Sequence, residues 1–159
     1  MRALFAGTFD PPTLGHLDII QRSRAICDQL FVAVAENPSK QATLFNALER
    51  KALLEKICAP YPHVKVVISS ALTATFAKDN NIDFLLRGLR TASDFEVETR
   101  MAIANRNLSG TDTLFLIADP KAAHISSTLI REIGKFNGRL HDYVPHEIEN
   151  EIFNRIAMK

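Results

Sequence analysis

The sequence is poor in several features that would indicate other classes of protein. Only two of its 159 residues are cysteines, and Cys27 and Cys58 lack the spacing of a metal or redox pair, so we expect buried thiols in a reducing compartment. The formal net charge of +1 gives no field that would draw the chain onto nucleic acid or a membrane surface. The longest apolar runs, residues 30–35 and 114–118, are too short to cross a bilayer, and no signal peptide opens the chain. These absences predict a cytoplasmic protein with neither nucleic acid nor membrane as a partner.

Several catalytic motifs are missing as well. The chain has no Gly-x-Gly-x-x-Gly dinucleotide fingerprint, no Walker lysine loop and no serine–histidine–aspartate order that fits a hydrolase. It also has no carboxylate cluster that would hold a metal through protein ligands alone. Any Mg²⁺ is therefore expected to be bound mainly through the phosphates of a substrate, as is common for this ion.

What the sequence does contain is an alternation of short apolar runs with amphipathic stretches. The apolar runs predict five strands, at residues 2–6, 30–35, 64–68, 84–87 and 113–117. Helical spacing predicts six helices, at residues 14–27, 47–59, 73–80, 93–107, 127–135 and 145–157. Repeated β-α units indicate a single α/β domain over residues 1–159, with a five-stranded parallel sheet, helices on both faces and C-terminal helices.

Some local details can be predicted too. Ser93 with Glu96, and Asn46 with Glu49, predict capping boxes at the starts of two helices. Apolar residues between the strands are expected in the core more than in a subunit interface, namely Leu72, Phe76, Met101 and Ile103. The last helix is expected to pack through apolar residues at helical spacing, namely Ile148, Ile152, Phe153 and Ile156.

The segment from Gly7 to His16 is the most informative part of the chain. It follows the first predicted strand and leads into a helix, and a helix N-terminus offers unpaired N–H groups to an anion. Thr8 and Thr13 add hydroxyls to this site, and His16 adds an imidazole that can donate to a phosphoryl oxygen. The alternative is that His16 only caps the loop.

Other polar segments follow the remaining strands and should meet the opening loop at the carboxyl edge of the sheet. Arg87 and Arg90 end a buried strand, where their guanidinium groups suit phosphate oxygens. The alternative is an internal ion pair with a nearby carboxylate, namely Asp94, Glu96 or Glu98.

Two further segments carry the same ambiguity. Lys40 lies in a polar loop after the second strand, and its alternative role is that of an ordinary solvated lysine. Ser126, Ser127 and Thr128 stand at a helix start, with Arg131 one turn further on. They can serve as helix caps or as ligands of a second phosphate.

These segments together resemble a known family. Residues 13–16, Thr-Leu-Gly-His, resemble the T/H-x-G-H motif of the nucleotidyltransferase superfamily, which has a Rossmann-like fold, and residues 125–128 with Arg131 resemble its second signature. The additional segments 7–11, 37–40, 87–90 and 94–98 make the whole chain similar to the bacterial phosphopantetheine adenylyltransferases. Two departures from that family are the non-aromatic loop at residues 120–124 and Val97.

The resemblance implies transfer of the adenylyl group of ATP to 4′-phosphopantetheine, which gives dephospho-coenzyme A and pyrophosphate in coenzyme A biosynthesis. It implies catalytic roles for Thr8, His16 and Lys40, and 4′-phosphopantetheine contacts from Thr8, Lys40, Thr73 and Arg87. The ATP contacts it implies are Thr8, Phe9, His16, Gly88, Leu89, Arg90, Glu98, Ala122, Ala123, His124, Ile125, Ser126, Ser127 and Thr128. It further implies Mg²⁺ as cofactor, a homohexamer, and coenzyme A as a feedback inhibitor.

Two other hypotheses stay open at this point. Within the superfamily, the acceptor could be nicotinate mononucleotide or a phosphorylated alcohol, with ATP or CTP as the donor. Outside it, the chain could be a non-catalytic nucleotide-binding module with the same fold. The presence of both His16 and Lys40 favours an enzyme, and the segment from Arg87 to Arg90 favours the pantetheine acceptor. A fragment of a class I tRNA synthetase is excluded by the length of the chain and by the absence of an anticodon-binding domain.

Overall fold

The computed structural model describes residues 1–36 and 43–158. Its elements in chain order are β1 (Arg2–Gly7), α1 (Leu14–Ser23), β2 (Gln29–Ala35), α2 (Ala47–Cys58), β3 (Val64–Ser69), α3 (Thr73–Asp79), β4 (Phe84–Leu89), α4 (Ala92–Ser109), β5 (Asp112–Ile117), α5 (Ser127–Lys135) and α6 (His146–Ala157). All the strands are parallel and lie in the order β3-β2-β1-β4-β5. The predicted α/β fold with a five-stranded parallel, Rossmann-like sheet is confirmed. No helix in the described ranges is long and apolar enough to traverse a lipid bilayer.

The sheet opens between its central strand, β1, and the neighbouring strand β4. β1 pairs with β2 along its whole length, from Arg2–Gln29 to Gly7–Val34. With β4 it pairs only through Ala3–Phe84 and Leu4–Leu85, near the amino ends. β1 and β4 therefore diverge toward their carboxyl ends, at the point where the strand order reverses. Ligands of open α/β sheets bind in the crevice at this point.

Each face of the sheet is covered by its own apolar cluster, because successive side chains of a strand point to opposite faces. The larger cluster joins the strands to α1, α2, α5 and α6 and includes Ile20, Leu54, Ile130 and Ile152. The smaller cluster lies on the other face and includes Leu4, Phe31, Ala77 and Leu85. Cys27 and Cys58 are buried free thiols, as expected.

The expectation of core residues is wrong on α4 and just before α3. Leu72, Met101 and Ile103 are 69%, 54% and 57% exposed, and α4 contributes no buried residue at all. Phe76, in contrast, packs against the smaller cluster. In α6, Ile148, Ile152 and Ile156 are buried as predicted, while Phe153 is 36% exposed.

The helix starts agree with one of the two predicted capping boxes. At α2, the Glu49 N–H donates to Asn46 Oδ1 at 2.9 Å, and the Asn46 N–H donates to Glu49 Oε2 at 2.8 Å. The box predicted at Ser93 is wrong, because α4 begins one residue before Ser93 and Thr91 accepts the Asp94 N–H at 3.1 Å. Helix α1 is also shorter than predicted, since it ends at Ser23.

Candidate active site

A cavity of about 520 Å³ occupies the crevice at the carboxyl edge of the sheet. Its walls come from the loop after β1, the start of α1, the end of β4, the loop after β5 and the start of α5. The loops after β1, β4 and β5, three of the five that the sequence predicts at this edge, thus meet in one place, and Thr43 joins them from the connection after β2. The loop after β3 reaches the adjoining cavity through Thr73. Lys40 lies outside the described residues.

The loop after β1 is built around Phe9. The Phe9 side chain is 2% exposed, and a Cβ at Gly7 would lie 3.1 Å from its ring, so residue 7 has little room for any side chain. The Phe9 ring meets the His16 imidazole edge to face, with 4.9 Å between ring centroids. The peptide bond between Asp10 and Pro11 is cis. The contact with the Phe9 ring thus holds the His16 imidazole in position.

The hydrogen bonds of His16 define which nitrogen faces the cavity. The Thr13 N–H donates to His16 Nδ1 at 3.0 Å, and the His16 N–H donates to Thr13 Oγ1 at 3.2 Å. Because Nδ1 accepts a backbone proton, the neutral ring carries its own proton on Nε2. Burial, followed by the charges of Arg90 and Arg87, lowers the pKa of His16 to about 4. His16 therefore caps α1 and also presents a neutral N–H donor.

A network of buried hydrogen bonds around Asp10 and Arg50, which was not predicted from the sequence, supports this loop. Asp10 is 5% exposed and accepts the N–H groups of Leu44 and Phe45 at 2.7 and 2.9 Å. Arg50 is 4% exposed and donates to the carbonyls of Thr8, Ala35 and Phe45 at 2.6, 3.0 and 3.1 Å. The available signal was a charged residue on the buried face of a helix, since Arg50 lies one turn after Ala47 and one before Leu54.

Both arginines at the end of β4 form ion pairs and also line the cavity. Arg87 binds Glu98 through two parallel bonds of 2.8 and 2.6 Å and also donates to the Ala6 carbonyl. Arg90 donates to Asp94 at 3.0 Å and to the Ile125 carbonyl at 3.1 Å. Of the three carboxylates considered from the sequence, Asp94 and Glu98 are the partners. A guanidinium has five N–H donors, so these pairs leave each arginine with donors for a further ligand.

The start of α5 faces the start of α1 across the cavity. Ser126 caps α5 by accepting the Leu129 N–H at 3.1 Å, and the Ser127 hydroxyl donates to the Pro11 carbonyl at 2.8 Å. Arg131 donates to Thr128 Oγ1 at 3.1 Å and to the Asp10 carbonyl. Two helix N-termini therefore point their positive ends at one space, an arrangement that favours an anionic ligand.

A second cavity of about 330 Å³ adjoins the first and shares Thr8, Arg87 and Glu98 with it. It extends between the sheet and α4, where Thr73, Met101, Asn105 and Thr113 are among its lining residues. One side of the junction is lined by the hydroxyl residue Thr8, the other by the Arg87–Glu98 pair.

The two cavities bring together most of the residues that the resemblance implies. The first is lined by Thr8, Phe9, His16, Arg87, Gly88, Arg90, Glu98, Ala122, Ile125, Ser126, Ser127 and Thr128. Thr73 lines the second. Leu89, Ala123 and His124 line neither of them. The roles of all these residues stay predictions.

The comparisons with known proteins agree with this geometry. Residues 4–133 match the family model described as cytidylyltransferase-like. A phosphopantetheine adenylyltransferase of Corynebacterium diphtheriae is 41% identical over 155 residues, which cover 98% of each chain. The enzyme of that name from Alkaliphilus oremlandii is 42% identical, over 96% of this chain and 98% of its own. The one from Aquifex aeolicus is 40% identical, over 96% of each chain.

This chain belongs to the phosphopantetheine adenylyltransferase family. The resemblance stated from the sequence motifs is thus confirmed, and a nucleotidyltransferase fold explains why the loop after β1 and the start of α5 contain the most distinctive residues.

The two departures of this family member differ in their relation to the first cavity. The non-aromatic loop at residues 120–124 contributes Ala122 to the cavity wall, while His124 packs edge to face against Tyr143, with 5.9 Å between ring centroids. Val97 is 54% exposed on α4 and does not line the first cavity. The loop therefore affects a wall of the cavity, and Val97 affects only its surroundings.

Proposed function

We propose that the protein transfers the adenylyl group of ATP to 4′-phosphopantetheine and releases pyrophosphate, as the names of its relatives indicate. One observation carries the proposal: two cavities share Thr8 and Arg87 in their walls, beside His16. The first is lined by two helix N-termini, and the second is smaller and partly apolar. A nucleotide and a phosphorylated acceptor with a long arm suit these two shapes, and their phosphates would meet at the junction.

The reaction needs no protein nucleophile. An oxygen of the acceptor phosphate forms a bond with the α-phosphorus of ATP while the bond from that phosphorus to the β-bridging oxygen breaks. The leaving oxygen keeps the electron pair and departs with pyrophosphate. Because the attacking oxygen is already anionic, catalysis depends on alignment and on stabilising the charge of the transition state.

Each side chain at the junction has a role in this scheme. The Nε2–H of His16 donates to the α-phosphate, and Thr8 orients the acceptor phosphate together with Arg87. Arg90 and the start of α5 hold the β- and γ-phosphates. Lys40 bridges the attacking and the α-phosphate in this proposal, on the basis of the family motif alone.

The proposed Mg²⁺ fits a site on the nucleotide better than one on the protein. Within residues 1–36 and 43–158, no group of three or more His, Cys, Asp or Glu side chains is arranged to hold a metal ion. The nearest carboxylates, Asp10, Asp94 and Glu98, already bind backbone N–H groups or arginines. An ion carried by the phosphates of ATP would neutralise charge there, as Mg²⁺ does in many nucleotide sites.

Three further features belong to the proposal. The protein acts in the cytoplasm as a homohexamer, and exposed apolar residues on α4 and β5 support a subunit interface. Coenzyme A inhibits it, because coenzyme A contains the same pantetheine arm as the acceptor and so suits the second cavity.

The test is pyrophosphate release with ATP or CTP against a panel of acceptors: 4′-phosphopantetheine, nicotinate mononucleotide and phosphocholine. We expect release only with ATP and 4′-phosphopantetheine. Release with another pair would assign a different transferase activity. No release with any pair, while ATP still binds, would favour the non-catalytic module.

A further inference from the structure

Thr113 in β5 is unusual in this fold because its hydroxyl has nothing to bind. Its Oγ1 atom is buried and, in the described part of the chain, is the one buried side-chain nitrogen or oxygen without a hydrogen-bond partner. Folded proteins pair nearly all such groups, so an orphaned hydroxyl requires an explanation. If this residue contributed only to folding, valine, which has nearly the same shape, could replace threonine here.

The position of Thr113 relates this hydroxyl to the second cavity. Thr113 lies opposite Leu85 in the β4–β5 register, and Arg87 lies opposite Phe115. Thr113 is therefore on the same sheet face as Arg87, one strand across and two residues along, about 8 Å away between Cα atoms. Thr113 lines the second cavity together with Asn105 of α4.

We propose that the Thr113 hydroxyl binds the first amide of the acceptor's arm, counted from the phosphate, and so contributes to acceptor specificity. This inference rests on the proposed function. In 4′-phosphopantetheine that amide follows the phosphate after a short carbon chain, at roughly 6 Å from phosphorus when extended, which is comparable to the distance from Arg87 to Thr113. Rotation about the Cα–Cβ bond exchanges the positions of Oγ1 and Cγ2 and turns the hydroxyl toward the cavity that the residue lines.

The Thr113 hydroxyl could bind the ligand or stabilise the fold, and these two roles predict opposite effects of Thr113→Val. If the hydroxyl serves the ligand, its removal relieves an unsatisfied buried group in the free protein, and stability stays equal or rises. The same substitution leaves the acceptor amide without its partner. We expect the KM for 4′-phosphopantetheine to rise about tenfold, while the KM for ATP stays within about twofold.

The experiment compares the wild-type protein with Thr113→Val, Thr113→Ser and the control Thr99→Val. Thr99 Oγ1 donates to the Phe95 carbonyl within α4 and lines neither cavity. Kinetics with each substrate and the melting temperature without substrates are measured for all four proteins. Thr113→Ser and Thr99→Val are expected to keep the wild-type KM for the acceptor.

A second acceptor, 4′-phosphopantothenate, has the first amide but not the second. Thr113→Val should raise the KM for both acceptors by the same factor. An effect on 4′-phosphopantetheine alone would overturn the assignment to the first amide. An unchanged acceptor KM, or a melting temperature lowered by several degrees, would overturn the role of the hydroxyl. If the wild-type protein is active, the proposed function stands and these results test the role of Thr113 alone. If the wild-type protein is inactive, the proposed function and this inference both fail.

Discussion

The charged side chains that line the first cavity form ion pairs with one another. Arg87 binds Glu98, Arg90 binds Asp94, and Arg131 lies 3.9 Å from the buried Asp10 carboxylate. An incoming phosphate therefore meets arginines held in fixed positions by carboxylates and backbone carbonyls. Such preorganised donors stabilise developing charge without having to reorganise during the reaction. His16 differs from them because it is a neutral donor, and its hydrogen bonds to Thr13 give it a single tautomer.

This protonation state of His16 can be observed directly. We predict that ¹⁵N NMR of the imidazoles shows His16 protonated on Nε2 and not titrating between pH 8 and pH 5. The physical reason is that burial and the nearby arginines lower its pKa to about 4.

The same shift has a consequence for stability. Below about pH 6.5 the unfolded His16 binds a proton that the folded one does not bind until about pH 4. The unfolded state therefore takes up more protons in this window, and the free energy of unfolding decreases as the pH falls through it. His16→Ala should flatten that slope and lower kcat on the order of a hundredfold. Titration of the His16 imidazole between pH 8 and pH 5, or near-normal kcat in His16→Ala with ATP binding intact, would contradict the role assigned to it.

At the scale of the elements, the sequence predicts what depends on local pattern and misses what depends on neighbours. Buried parallel strands are continuous apolar runs, so all five were located, and α5 was predicted with its observed bounds. The Ser93 cap fails because Thr91 offers an equivalent hydroxyl one residue before the helix. Arg50 was missed because its role depends on carbonyls that come from β2 and from the loop after β1.

The candidate site shows the same division. The motifs around His16 and Ser126 indicate chemistry through residue type and order, so they could be found without a structure. For Arg87 and Arg90, the sequence leaves two alternatives, an ion pair or a phosphate contact. Spacing along the chain does not show whether the carboxylate of Glu98 reaches Arg87. The orphaned hydroxyl of Thr113 has no sequence signal, since a threonine in a strand is ordinary.

The contact between α5 and α6 gives a prediction at this scale. Gly134 is inside α5, and a Cβ there would lie 2.5 Å from Ile156 Cδ1 and 3.1 Å from its Cγ2. Gly→Ala within a helix ordinarily stabilises by about 1 kcal/mol, but overpacking a buried contact costs about 1–3 kcal/mol. The gain offsets part of this cost, so we expect Gly134→Ala to lower the free energy of unfolding by up to about 2 kcal/mol, measured by urea denaturation.

Ile156→Val removes the Cδ1 atom and provides the matched rescue. Alone it should cost about 1 kcal/mol, but in the Gly134→Ala background it should cost nothing or restore stability, because the two changes are coupled through one contact. Lys135→Ala, at an exposed position of the same helix, is the control and should change stability by less than about 0.5 kcal/mol. Simple additivity of the two changes would contradict the contact.

At the scale of the whole molecule, one side of the sheet is incompletely covered. Helix α4 spans Ala92–Ser109 without a single buried residue, and β5 is an edge strand. Val97, Met101 and Leu108 are 54%, 54% and 64% exposed, and their spacing puts them on one side of the helix. Ile117, at the end of β5, is 68% exposed and lies on the sheet face that α4 covers, because it shares a face with Phe115, whose ring meets Phe95 of α4. A group of exposed apolar side chains of this kind indicates a protein interface.

This surface provides the test of the proposed homohexamer. We predict that light scattering after size-exclusion chromatography gives about six times the 17.7 kDa mass of the chain, and that Leu108→Glu lowers this mass because it puts a charge into an apolar interface. Leu48→Glu is the matched control: Leu48 is 72% exposed but lies on α2, on the other face of the sheet, so the mass should not change. A monomeric wild-type protein would refute the assembly. An intact hexamer in Leu108→Glu would show instead that α4 lies outside the interface, and circular dichroism of both variants separates loss of assembly from loss of fold.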